Sequence, residues 1–193
     1  MLIRLIALPV LAAALLLSAC SKEDTAAKPA TATPIAQPYE AVAAQGKGFT
    51  VGAMMSANTV YVLFDPQCPH CGHLWEASLP LQAKVKFVWM PVAFINAKSA
   101  PQGAALMTAA NPQELMSTHE KSILSGTGGI SAPSGIPSEI EQAIEANTRL
   151  LNSLGADSVP YIVAKNLRTG EVVSNTGAME TPALADFLGV DRP

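Results

Sequence analysis

Val60-Tyr61-Val62-Leu63-Phe64-Asp65-Pro66-Gln67-Cys68-Pro69-His70-Cys71-Gly72-His73-Leu74-Trp75-Glu76-Ala77-Ser78-Leu79 decides the fold of this chain. Val60 to Phe64 is apolar throughout and rich in β-formers, as a strand covered on both faces has to be. Gly72 to Leu79 reads as helix. At the junction stand two thiols, Cys68 and Cys71. Pro69 suits the first helical position, where no N–H is needed. The pattern therefore places Cys68 at a helix N-terminus and Cys71 one turn in. Unpaired backbone N–H groups and the helix dipole favour a negative sulfur at Cys68. That matters because only the thiolate is nucleophilic, and a free thiol with a pKa of about 8.5 is mostly protonated at neutral pH. His70, when protonated, adds a cation and a donor beside the sulfur. Cys68 is the expected attacking thiol, and Cys71 the less exposed thiol that closes the ring. A pair so placed points to redox chemistry rather than to a staple.

These residues also suit other chemistries. A structural disulfide remains open. A structural zinc site needs four ligands, and there is no second cysteine pair to join His70, His73 and His119, the three histidines of the chain. Covalent haem attachment needs His directly after the second Cys, where Gly72 stands. Soft thiolates select Cu(I), so a carrier built on Cys68 and Cys71, with or without His73, stays open. No metal and no cofactor is expected.

Residues 1–19 carry one charge, Arg4, and an apolar core from Leu5 to Leu17. This is the pattern of a secretory signal, too short to span a membrane. Leu17-Ser18-Ala19-Cys20 resembles a bacterial lipobox, which implies cleavage before Cys20 and a lipid on Cys20. Ser21, where no Asp stands, resembles the signal for the outer rather than the inner membrane. The three cysteines then divide into one for the lipid and two for the redox pair, in a space where disulfides persist. Residues 20–48 are rich in Ala, Thr, Pro, Gln and Lys and read as a lipidated tether; Tyr39 and Val42 are its residues able to start a short helix. Removing residues 1–19 takes the net charge from −3 to −4, because only Arg4 is lost. With no basic patch, nucleic acid and electrostatic membrane binding are not expected.

Residues 49–193 suit one domain. Phe49-Thr50-Val51 reads as an edge strand. Val85 to Ala93 reads as another strand, with Pro91 marking an edge or an end. Residues of about 98–155 are helical in pattern. Pro101-Gln102 opens one helix, Asn111-Pro112 caps a second, and Ser125 to Gly135 is a flexible loop. Ser138-Glu139-Ile140-Glu141 opens a third, which Gly155 stops. Val159 to Ala164 and Glu171 to Ser174 form a hairpin, and Pro182 to Leu188 a closing helix. Strand, redox helix, strand, helical block, two strands and helix make a thioredoxin-type α/β layout with an inserted helical subdomain. Trp75 reads as helix packing, the methionines as gap-filling core, and His119 as a residue without an assigned partner.

Over residues 49–190 the chain resembles the DsbC/DsbG group of periplasmic thiol-disulfide proteins. Val60 to Cys71 carries the resemblance, and Leu154-Gly155-Ala156-Asp157-Ser158-Val159-Pro160 is similar to the segment that sets a proline beside the redox pair. The resemblance implies that Pro160 is cis, that the backbone beside it pairs with a substrate strand, and that Val159 and Pro160 keep metals off the thiols. It implies a cell-envelope thiol-disulfide oxidoreductase with Cys68 and Cys71 catalytic and Pro69, His70, Val159 and Pro160 in support. It further implies exported, cysteine-containing protein substrates and a membrane partner that resets the pair. Three features depart from the group. Ser21 to Gly48 is too short and too polar for its dimerising domain, so a monomer, or at most a weak dimer, is expected. Pro69-His70 is closer to the strong oxidant DsbA. Val159 replaces the usual Thr and offers the sulfur no hydroxyl. The direction of electron flow stays open. So do two readings of another class, an envelope chaperone or partner-docking lipoprotein with secondary redox activity, and the Cu(I) carrier.

Overall fold

The computed structural model describes residues 37–132 and 134–193. The signal segment, Cys20 and the first part of the tether lie outside them. The order of elements is α1 (Pro38–Gln45), β1 (Phe49–Gly52), β2 (Thr59–Phe64), α2 (Pro69–Ser78), a 3-10 turn (Leu79–Leu81), β3 (Lys86–Pro91), α3 (Ser99–Thr108), α4 (Pro112–Leu124), α5 (Ser138–Ser153), β4 (Tyr161–Lys165), β5 (Val172–Thr176) and α6 (Thr181–Leu188).

The five strands form one sheet in the order β1-β3-β2-β4-β5. β2 is central, and it is the strand whose apolar run has no polar alternation. It pairs parallel with β3, from Thr59 opposite Lys86 to Phe64 opposite Pro91, and antiparallel with β4. β1 closes one edge on β3 and β5 the other on β4, both antiparallel. β3 is therefore interior, and Pro91 ends it rather than marking an edge; a proline there costs no ladder bond beyond the last pair.

Large aromatics bind α2 to the sheet. Trp89 on β3 meets Trp75 on α2 and Phe64 on β2 edge to face, with ring centroids 5.2 and 5.5 Å apart, the geometry the ring quadrupoles prefer. All three rings are buried, which confirms Trp75 as packing. Met90 is core as expected, but Met54 and Met55 are exposed.

The helical block α3–α5 follows the expected helices closely. Asn111 Oδ1 accepts from the Glu114 N–H at 3.3 Å and caps α4. The N-cap position of α5 is Pro137, with no side-chain cap, so the Ser138 capping pattern is not used. Residues 125–130 are not a free loop. Ser122 Oγ bridges the Gly129 N–H and the Thr127 hydroxyl. The fold also reaches into the stretch read as tether: Val42 of α1 is fully buried, and Tyr39 meets Tyr61 edge to face at 5.2 Å. That anchor depends on two side chains in an otherwise small and polar sequence.

Candidate active site

The strand-to-helix junction forms as the sequence dictates. Cys68 is the N-cap of α2, with extended backbone at φ −97° and ψ 113°, and Pro69 opens the helix. The Cys68 N–H donates to Asp65 O at 3.0 Å, and Cys68 O receives the Cys71 N–H at 3.0 Å. Both cysteines are free thiols. Cys68 is 6 % exposed and Cys71 0 %, so substrate meets Cys68 first.

The two thiols have opposite electrostatics. Cys68 is brought down to about 6, first by a hydrogen bond from the Cys71 side chain, against the cost of burial, and then by the backbone N–H groups of Cys71 and His70 and the His70 charge. Cys71 is pushed well up, first by burial and then by Cys68 and Glu120. One sulfur is poised as a thiolate and its neighbour is held protonated, the asymmetry an attacking and a resolving thiol require.

The Val159–Pro160 bond is cis. Val159 O lies 3.6 Å from the Cys68 sulfur, where it accepts from the S–H when Cys68 is in its thiol form. Sequence positions 91 residues apart thus share one site. His70 and His73 are exposed on α2. The structure therefore brings Cys68, Pro69, His70, Cys71, Val159 and Pro160 together, while Cys20 lies outside the described residues.

Several residues around the pair escaped the sequence reading. Asp65, fully buried, accepts from the Gln67 N–H at 2.9 Å, the Ser99 hydroxyl at 2.7 Å, and the Phe94 and Ile95 N–H groups at 3.0 and 3.1 Å. It ties the approach to Cys68 to the connection after β3. Gln67 donates to Gln102 Oε1 and to Gly128 O. His119 is fully buried and bridges two segments: the Ile130 N–H donates to Nδ1 at 3.2 Å, so Nε2 carries the proton and donates to Pro66 O at 2.7 Å. Burial lowers its pKa below the ordinary value. A cavity of about 470 Å³ adjoins this network, lined in part by Lys98, Gln102, Gly128 and Ile130. One signal was legible: Met116, His119, Glu120 and Ile123, the buried residues of α4, are spaced at i, i+3, i+4 and i+7, so two polar residues stand in an apolar stripe.

No family model matches the chain. DsbG, a thiol:disulfide interchange protein of Pseudomonas aeruginosa, is 29% identical over 140 residues, which are 72% of this chain and 54% of that protein. DsbG of Escherichia coli is 29% identical over 105 residues, 53% of this chain and 42% of that protein. This chain thus matches about half the length of each of these relatives. A periplasmic thioredoxin-like protein from Salmonella enterica serovar Typhimurium superposes with a TM-score of 0.61 at 17% identity, covering 81% of this chain and 96% of the other. The fold is thioredoxin-like, with a helical block between its strands, and in sequence the chain is similar to the DsbG thiol:disulfide interchange proteins.

Proposed function

We propose that this chain is a thiol-disulfide oxidoreductase of the cell envelope. The observation that carries the reading is the split between the thiols: Cys68 at a helix N-terminus and brought down to about 6, with Cys71 covered and pushed up. The Cys68 thiolate attacks one sulfur of a substrate disulfide. A Cys68–substrate disulfide forms and the other substrate sulfur leaves as thiolate. Cys71 then attacks the Cys68 sulfur, the pair closes, and the second substrate thiolate is released. Two electrons pass to the substrate; run backward, the same steps give the substrate a disulfide.

In this reading Pro69 and His70 support the thiolate, and Val159 and Pro160 present backbone to an extended substrate. Substrates are exported proteins with cysteines, and a membrane redox partner resets the pair. The lipobox-like Leu17-Ser18-Ala19-Cys20 supports a lipid on Cys20 and a place in the periplasm at the outer membrane, with residues 1–19 removed. Replacement of Cys68 by Ser is expected to abolish reduction of insulin disulfides, and Cys71→Ser to leave a trapped mixed disulfide. Turnover that survives Cys68→Ser overturns the assignment.

One observation favours client binding beside the redox role. Phe94 and Ile95 are 48 and 43% exposed, and Asp65 fixes their backbone next to the site. Suppression of client aggregation that persists without both thiols would make holding, rather than exchange, the main activity.

A further inference from the structure

Two carboxyl groups stand near the dithiol in opposite states. Asp65 accepts four hydrogen bonds. Glu120, on α4, is fully buried, and among the described residues neither of its oxygens has a hydrogen-bond partner. A buried carboxyl without partners is costly and calls for a reason. Its position supplies one. A Cβ added to Gly72 would lie 3.0 Å from Glu120 Oε2, and Gly72 directly follows Cys71. Glycine at 72 lets the carboxyl lie against the redox helix, near enough for its charge to act on Cys71.

We propose that Glu120 is the proton acceptor for Cys71 in the resolving step, and its proton donor when the pair is reopened. This deepens the thiol-disulfide reading and rests on it. Cys71 is 0 % exposed, so the proton it must lose has no direct route to water. The proton passes from Cys71 Sγ to the Glu120 carboxylate. The Cys71 thiolate then attacks the Cys68 sulfur, the Cys68–Cys71 bond forms, and the Cys68–substrate bond breaks with its electron pair leaving on the substrate sulfur. The groups that face Glu120 make the timing work. Burial raises its pKa well above the ordinary range, and the charges of Cys68, Asp65 and Glu76 push the same way. Burial and the Cys68 thiolate together favour the neutral form of Glu120. Once Cys68 is tied up in a mixed disulfide its charge is gone, which relieves one of the groups that hold the proton on Glu120; that proton passes out to solvent with the departing substrate thiolate, and the carboxylate left behind is the base for Cys71.

The test is the reaction of the reduced protein with the dye dithiobis(nitrobenzoate). It releases one coloured thiolate when Cys68 attacks and a second when Cys71 resolves. In Glu120→Gln the first phase is expected to stay within about twofold. The second is expected to slow about 100-fold near neutral pH, the lower end of what a positioned base contributes, and to climb about tenfold per pH unit as solution base takes over. Glu120→Asp should restore part of the rate. An unchanged second phase, or equal slowing of both, overturns the proposal. A wild-type protein that releases no coloured thiolate overturns the reading of the pair itself, and the proposal with it. Should neither variant fold, carbon-13 NMR of the glutamate carboxyls in the wild type decides. One carboxyl must titrate above the rest and shift down when Cys68 is blocked as a mixed disulfide; no such shift overturns the proposal.

Discussion

The redox end and the helical block are held together by different forces. Around β2, α2 and β3 the large contacts are apolar, with Phe64, Trp75 and Trp89 meeting edge to face in the core. The helical block is pinned by buried polar side chains that reach other segments. Asn147 on α5 accepts from the Lys47 N–H at 2.9 Å and donates to Lys47 O and Pro91 O at 2.7 and 2.9 Å. Gln102 on α3 donates to Gly128 O and Ile130 O, and His119 on α4 joins Pro66 to Ile130. Apolar packing is non-directional and scales with area; hydrogen bonds fix geometry and are expensive to leave unmade. Apolar packing thus seats α2 on the sheet, and the polar side chains of the block fix the position of the loops around the thiols.

The sharpest way to break this contrast is Trp89→Ala. Removing a fully buried indole that contacts both α2 and β2 is expected to cost about 3–5 kcal/mol, read from urea unfolding. A loss below about 1 kcal/mol would mean that α2 does not depend on this bed. Asn147→Ala comes next. It strands the buried Pro91 carbonyl and leaves the part-buried backbone groups of Lys47 without their partner, and about 1–3 kcal/mol should go. Hydrogen exchange should rise at residue 47 and at the end of β3 while β2 stays protected. Uniform deprotection would deny the block its separate anchoring.

The smallest effect sharpens the comparison through pH. His119 is neutral and its folded pKa is lowered by burial, so the unfolded chain takes up a proton first. Its contribution is complete above the unfolded value of about 6.5 and is lost as pH falls. Between pH of about 6.5 and 5.5 the wild type should lose up to about 1 kcal/mol more than His119→Gln. Comparison of the two proteins removes the opposite contribution of Glu120, whose raised pKa favours the fold at low pH and weakens it as pH rises. Parallel curves for the two would deny His119 this role.

The unequal legibility of the two regions has the same origin. The strand, the N-cap cysteine, Pro69 and the positions of the block's helices were readable, because they rest on patterns within a few residues. Even α4 showed its cap in Asn111-Pro112. The partners of His119, Glu120 and Asn147 were not readable. A polar residue on an apolar stripe announces burial, but not what it will meet. α1 was legible only in part: Tyr39 and Val42 marked where a short helix could start, but they gain their value only against Tyr61 and the core.

By itself the sequence determined where a thiol would meet a helix N-terminus, because caps, proline positions and strand runs are matters of local sterics and local hydrogen bonding. The tertiary structure decided what surrounds that thiol. Val159 O lies 91 residues from Cys68, Pro66 lies 53 from His119, and Lys47 lies 100 from Asn147. Such contacts form only when the chain has collapsed and each buried polar group has found the partner that offsets its lost water. For Glu120, with no partner among the described residues, the structure places the carboxyl against the redox helix instead.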